Sequence, residues 1–138
     1  SYHVFYNSKR EVVWSTNADV TDEIKSAEAT KGYSYLQTNL TDIPQESQHY
    51  INNAKDTVVA KTAFNPTVST YTPVVDAVVN VTGVPAGTEV FLDGVSKGTM
   101  SDTTLTFTAK EPGSYSITLK KLEHLDYTIN IGTKRQTE

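Results

Sequence analysis

Three histidines are the side chains of this sequence best suited to acid–base or metal chemistry at neutral pH. They are His3, His49 and His124, and each lies beside a segment with the pattern of a β-strand. No His-x-His or His-x₃-His spacing directs two ligands to one metal ion, so His3 and His49 could share a metal with Asp56 or Asp42 only through the fold. We identify no serine in the Gly-x-Ser-x-Gly context of a nucleophile elbow. We therefore predict a protein that is not an enzyme and has no metal or cofactor.

The glycines and acidic loop residues are typical of turns rather than of ligand sites. Asp93-Gly94 lies between two segments of alternating polarity and predicts a type I′ turn, in which both residues have positive φ. Pro112-Gly113 predicts a second turn. The oxygen-rich pattern of a calcium loop is missing around Asp93 and Asp102, and the glycines do not open a helix as a phosphate loop does. We assign structural roles to Asp93, Gly94, Pro112 and Gly113.

The N-terminal half carries a set of aromatic residues that we take as candidates for protein interaction. Large amphipathic rings bury much surface at low entropic cost, so they suit protein contacts or stacking on sugar rings. The alternative is that half of these rings form the N-terminal core. The candidates are Tyr2, Phe5, Tyr6, Trp14, Tyr33, Tyr35 and Tyr50.

The composition excludes several classes of partner. The 138 residues include 16 acidic and 12 basic side chains, and the formal net charge of −4 has the wrong sign for binding nucleic acid through its phosphates. The chain has no cysteine, and its longest apolar runs are too short to cross a bilayer. We therefore expect no nucleic-acid partner and no membrane insertion.

The local patterns predict a mainly β protein with two parts. Residues 1–66 read as a β-rich (α+β) docking domain: a hairpin over 2–15, a short helix over 19–29 before Gly32, a strand at 33–36 and a second hairpin over 49–60. Because this half has few apolar positions, we expect it to gain burial from a neighbour. Residues 64–73 have two prolines, several hydroxyls and no charge, and they predict a linker, which we place at residues 67–75.

The C-terminal part is more regular. Apolar and polar residues alternate at Val79 and Val81, and again at Tyr115, Ile117 and Leu119, with turns every 8–12 residues. This spacing predicts an Ig-like antiparallel β-sandwich over residues 76–132, followed by a tail over 133–138.

Two segments resemble a known family. Residues 83–95, 98–99 and 111–119 read GVPAGTEVFLDGV, GT and EPGSYSITL, and they resemble the Ig-like and PEGA-like modules of phage tail and bacterial surface proteins. The similarity covers about 55 of the 138 residues. Residues 49–53 and 57–61, HYINN and TVVAK, resemble the segment that precedes such a module in small tail-associated proteins of bacteriophages, although the proline that usually follows the lysine is absent.

This resemblance implies a structural protein of a tailed bacteriophage virion, made in the host cytoplasm. The N-terminal half would dock on other virion proteins, and the Ig-like domain would project outward in several symmetric copies. A tail fibre, adaptor or tail-tip subunit with weak contact to host-surface glycans is the first expectation. A head decoration protein is the nearest alternative, and a carbohydrate-binding surface module that uses exposed Trp14, Tyr33 and Tyr35 is the other.

Overall fold

A computed structural model describes residues 1–137, and over that range the chain is mainly β, as predicted. It contains one helix and twelve strands: β1 (Tyr2–Tyr6), β2 (Val12–Thr16), α1 (Asp22–Thr30), β3 (Ser34–Thr38), β4 (His49–Ile51), β5 (Val58–Ala60), β6 (Thr67–Val68), β7 (Val79–Thr82), β8 (Glu89–Leu92), β9 (Val95–Thr99), β10 (Thr104–Phe107), β11 (Gly113–Lys121) and β12 (His124–Thr133). The chain divides into two compact units, Ser1–Thr62 (unit 1) and Ala63–Glu138 (unit 2).

Unit 1 is built on a three-stranded antiparallel sheet with the order β2-β1-β3. The first strand of the chain is therefore the central strand, and Phe5 lies opposite both Trp14 and Tyr35. Because successive side chains of a strand point to opposite faces, Phe5 faces one side of the sheet and Val4 and Tyr6 face the other. The second face packs into a small core of Val4, Tyr6, Val12, Ile51 and Val58.

Side-chain hydrogen bonds shape the turns of unit 1. Asn7 Oδ1 accepts from the backbone N–H groups of Lys9 and Glu11 at 3.0 and 2.9 Å, which closes the β1–β2 connection. Arg10 then adopts a left-handed conformation with φ of 66°. Its guanidinium donates to the carbonyl of Ile51 at 3.1 Å, and the Ile51 N–H donates back to the Arg10 carbonyl at 3.0 Å. These two bonds fasten the β4–β5 hairpin to the sheet.

The helix α1 has a start and an end that the sequence encodes. The Thr21 hydroxyl accepts from the Ile24 N–H at 3.2 Å, and Asp22 and Glu23 occupy the first turn, where carboxylates favour the helix dipole. Gly32, with φ of 87°, follows the last turn and donates its N–H to the Ala29 carbonyl.

Unit 2 consists of two antiparallel sheets that share one core, with the strand orders β10-β7-β6 and β12-β11-β8-β9. Alternate residues of the strands point into this core because their period is two. The buried members are Phe64, Val79, Val81, Val84, Val90, Ile117, Leu119, Ile129 and Ile131. This arrangement fits the predicted β-sandwich.

The turns of unit 2 depend on residues with positive φ. Asp93 (48°) and Gly94 (83°) connect β8 to β9 with the geometry of a type I′ turn, and the Asp93 carboxylate also accepts from the Ser116 N–H at 2.8 Å. Gly113 (143°) follows Pro112 and begins β11. These residues hold turns, which is the structural role that the sequence indicates.

The segment 67–75 differs from the predicted linker. Thr67 and Val68 form β6 and pair with β7, and Pro73 is buried. Val74 forms a parallel bridge with Lys134, where the Val75 N–H donates to the Lys134 carbonyl and the Lys134 N–H donates to the Pro73 carbonyl, at 2.9 and 3.0 Å. Backbone hydrogen bonds to strands distant in sequence therefore make this segment part of unit 2.

The sandwich also extends beyond both of its predicted limits, residues 76 and 132. Phe64 is 5% exposed and belongs to the core of unit 2, although the sequence places it in the first domain. Thr133 is buried at the end of β12, and Lys134 is in the bridge, so the predicted tail of 133–138 begins within the fold.

Candidate functional site

The structure separates the seven aromatic candidates into core and surface residues. Phe5 is fully buried and Tyr6 is 6% exposed, so neither is available for contact with a partner. The reason is that β1 is the central strand, and each of its faces is covered. Tyr2, Trp14, Tyr33, Tyr35 and Tyr50 are partly exposed.

Trp14 and Tyr35 lie on one face of the unit 1 sheet, one on each side of Phe5. Trp14 stacks on Phe5 with ring centroids 4.6 Å apart, and Tyr35 contacts Phe5 at 5.5 Å. The Tyr35 hydroxyl is hydrogen-bonded to Nδ1 of His3, and the Lys25 ammonium lies 4.2 Å from the centroid of the Tyr35 ring. We call His3, Phe5, Trp14 and Tyr35 the aromatic face.

The other candidates lie away from this stack. Tyr2 pairs with Thr38 at the start of β1, Tyr50 lies in β4 opposite Val59, and Tyr33 precedes β3. Among the ring contacts of the described residues, none joins Tyr2, Tyr33 or Tyr50 to the aromatic face. The structure therefore brings together only Phe5, Trp14 and Tyr35 of the seven.

The groups considered for catalysis or metal binding are dispersed. His49 lies at the open end of the β4–β5 hairpin, whereas Asp56 lies in its turn. Hydrogen bonds from the side chains of Asn52 and Thr57 lower the pKa of Asp56 below its usual 3.8. Within residues 1–137, no three His, Asp or Glu side chains are placed to hold a metal ion.

Residues 94–98 read Gly-Val-Ser-Lys-Gly, which is the spacing of a nucleophile elbow, so the prediction that no serine has this context is wrong. The structure places Ser96 on β9, an exposed edge strand of an antiparallel sheet, and its hydroxyl donates to Glu89 at 2.7 Å. An elbow needs a strand followed by a helix, so the motif has no catalytic geometry here.

Unit 1 contains a polar cavity that no motif in the sequence indicates. It is a depression open to solvent with a volume of about 390 Å³, which lies within the range of small-molecule sites. The residues that line this polar cavity are Asp42, Ile43, Gln45, Gln48, His49, Ala60 and Lys61.

Lys61 is the unusual residue of the polar cavity. Its side chain is only 7% exposed, and Glu46, whose Oε1 lies 3.8 Å from the ammonium, is its ion-pair partner among the described residues. His49 is also buried, and its Nδ1 accepts from the Gln45 N–H at 3.3 Å, which leaves Nε2 as the protonated nitrogen of the neutral ring. A lysine that follows a short strand gives no local sign of burial, because the covering residues come from the 42–49 loop.

Unit 2 has a smaller, apolar cavity of about 290 Å³ beside its edge strands. Leu92 and Lys97 come from one sheet, Leu105 and Phe107 come from the other, and buried Ile117 forms part of the lining. The candidate turn residues Asp93, Gly94, Pro112 and Gly113 are not part of this lining.

Comparison with known families identifies a PEGA domain at residues 77–138. A search of curated proteins finds no match to the chain. Over the described residues, no helix combines the length and apolar character needed to cross a membrane. The family match covers the strands β7 to β12 and bears out the PEGA-like character of the C-terminal part.

Proposed function

We propose that this chain is a non-enzymatic structural protein of a tailed bacteriophage virion, which docks by unit 1 and presents the PEGA domain of unit 2. The observation that carries the docking role is the partial exposure of Trp14 and Tyr35 on the aromatic face. Tryptophan and tyrosine are enriched among the residues that dominate protein interfaces. A tail fibre, adaptor or tail-tip subunit is the proposed location, on the basis of the sequence resemblance.

The organisation of the chain supports this division of roles. Unit 2 matches a PEGA domain and has a core of its own. Unit 1 has a smaller buried cluster, which makes it the unit that gains more from further burial against virion proteins.

Sugar stacking by the aromatic face has less support. One face of Trp14 stacks on Phe5, and the Tyr35 ring is engaged by Lys25 and His3. A sugar platform needs flat ring faces that are open to the ligand. We therefore keep protein docking as the proposed role of these rings.

Immunogold electron microscopy of particles purified from the source, with an antibody against unit 2, tests the assignment. We expect gold at the tail. Gold over the capsid would replace the tail role with head decoration, and particles without gold or peptides of this chain would overturn the proposal.

The docking surface is tested by reassembly of full-length variants onto particles that lack the protein. Trp14→Ala should reduce incorporation strongly, and Trp14→Phe, which keeps a ring on Phe5, should reduce it less. Tyr71→Ala is the control, because Tyr71 is 51% exposed in unit 2. Circular dichroism first establishes that each variant is folded. Equal incorporation of folded Trp14→Ala and wild type would contradict the docking role.

A further inference from the structure

We propose that the polar cavity of unit 1 binds a sugar residue that carries a carboxylate, of the uronate class. Lys61 would hold the carboxylate, and Asp42, Gln45 and Gln48 would hold the hydroxyl groups. This site is separate from the aromatic face and does not rest on the proposed docking role.

Lys61 brings a positive charge to the polar cavity. Its side chain is only 7% exposed, but the ammonium retains contact with solvent, and its three N–H donors are open to an acceptor in the cavity. The nearest carboxylate oxygen, Glu46 Oε1, is 3.8 Å away, beyond the usual hydrogen-bond distance. Lys61 therefore lines the cavity as a cation whose stem is largely buried and whose ammonium donors are not satisfied by Glu46. A ligand carboxylate at 2.7–2.9 Å would form the charge-assisted bonds that Glu46 does not make.

The rest of the lining can both donate and accept hydrogen bonds. Asp42 supplies acceptors, and the amides of Gln45 and Gln48 supply both donors and acceptors at exposed positions. Hydroxyl groups both donate and accept, so they complement this mixture better than a simple anion does. Ile43, which is 48% exposed, adds an apolar surface for the C–H groups of a sugar ring. The volume of about 390 Å³ suits a single residue of that size.

Glu46 allows a test of whether the cavity selects a carboxylate. Its side chain is 59% exposed and competes with any ligand carboxylate for Lys61. Removal of its charge should strengthen ligand binding if the cavity selects a carboxylate. If the Lys61–Glu46 pair has only a structural role, the same change should not create binding.

The experiment is an NMR titration of the full-length ¹⁵N-labelled protein at neutral pH with sodium D-glucuronate. D-Glucose and sodium acetate are the matched probes for the hydroxyl groups alone and the carboxylate alone. We expect saturable shifts of the Gln45, Gln48, His49 and Lys61 amides with glucuronate, at an affinity of about 1 mM. Glucose and acetate should bind at least about tenfold more weakly.

Three variants assign the contacts. Lys61→Met keeps the length of the side chain and should weaken glucuronate binding by about tenfold or more. Glu46→Gln, at an exposed position, should strengthen it several-fold. Lys31→Met, which removes a 61%-exposed lysine of unit 1, should leave it unchanged.

Each contrary outcome overturns the proposal. No saturable shift with glucuronate would mean that the cavity has no such ligand. Glucose binding equal to glucuronate binding would exclude the carboxylate contact, and equal acetate binding would exclude the hydroxyl contacts. Unchanged affinity in both Lys61→Met and Glu46→Gln would exclude Lys61 as the anchor.

Discussion

The two units achieve β structure in different ways. In unit 2, two sheets cover each other and nine buried apolar residues form a continuous core. In unit 1, the buried cluster has five members, and polar side chains such as Asn7, Asn52 and Arg10 hold the connections by hydrogen bonds to the backbone. A small core offers less hydrophobic stabilisation, so specific turn contacts carry more of the structure.

The turns of the two units are more alike than their cores. Unit 2 places glycine at five positions of positive φ, and Asp76 and Asp93 also have positive φ. Unit 1 has Gly32 with positive φ, and it also has Arg10 and Lys55 in this region, where an L side chain is strained by roughly 1–2 kcal/mol. Among the described residues, each unit therefore has two strained non-glycine positions, and unit 1 tolerates them despite its smaller core.

The largest effect that we expect is from Ile51→Ala in unit 1. Ile51 is fully buried, and truncation of such a residue costs roughly 2–5 kcal/mol. With four other members in the cluster, unit 1 should lose its dispersed amide signals in an NMR spectrum at 25 °C. Ile117→Ala is the matched change in unit 2, where the larger core should keep the spectrum dispersed. Loss of unit 2 signals in Ile117→Ala with unit 1 intact in Ile51→Ala would reverse the comparison.

The next effect is from Gly94→Val, which should destabilise unit 2 by about 2 kcal/mol. A Cβ at Gly94 meets no atom within 4 Å, so the cost comes from the positive φ alone. Gly132→Val is the control, because its Cβ is also unobstructed and its position in β12 suits a β-branched residue. Thermal denaturation should show a lower Tm for Gly94→Val and no loss for Gly132→Val. Equal melting temperatures would mean that the turn is not strained.

Asn52→Ala should destabilise unit 1 by about 1 kcal/mol. Asn52 Oδ1 accepts from the backbone N–H groups of Asp56 and Thr57 at 3.0 and 3.1 Å, and these bonds close the β4–β5 hairpin. Asn53→Ala, one residue along the same turn, is the control. Urea denaturation that gives the same midpoint for both variants would argue against a role of the Asn52 side chain.

The same turn predicts a pH dependence. Because the pKa of Asp56 in the folded state lies below 3.8, its hydrogen bonds stabilise unit 1 above that pH and lose this effect as the pH falls through the folded value. The urea midpoint should therefore fall less between about pH 5 and about pH 3 in Asp56→Asn than in the wild type. An identical fall would show that other carboxylates dominate.

The smallest effect is a gain from Lys55→Gly, of about 0.5 kcal/mol. Relief of the left-handed strain at φ of 62° outweighs the greater freedom of glycine in the unfolded chain. Lys9→Gly, in the other turn of unit 1, has no such strain to relieve and should be neutral or destabilising. A lower Tm for Lys55→Gly would mean that the lysine side chain contributes contacts that exceed the strain.

Features encoded by neighbouring residues could be predicted from the sequence. The Asp93-Gly94 turn, the end of α1 at Gly32 and the inward alternation of Ile117 and Leu119 follow from local chemistry and period. The segment 67–75 could not be predicted, because its uncharged, proline-containing composition resembles a linker while its partners lie at residues 80–82 and 132–134.

The candidate site shows the same limit. Phe5 and Tyr6 were predicted as protein-interaction residues because they are aromatic, but the central position of β1 buries both. Lys61 gave no local signal, since its burial depends on the loop that contains Glu46. Tertiary position, rather than residue type, therefore decides which groups meet a ligand.

The parallel bridge between Val74 and Lys134 has a mechanical consequence. The two short segments that it joins run in the same direction, so a force applied to both ends of unit 2 would pull them past each other along their axes. Hydrogen bonds loaded in this way share the tension and must break together, whereas the antiparallel β8–β9 hairpin could open one bond at a time. This pair of hydrogen bonds would resist the unfolding of unit 2 under load. The force needed would depend on the rate at which the bonds break rather than on the equilibrium free energy of unfolding.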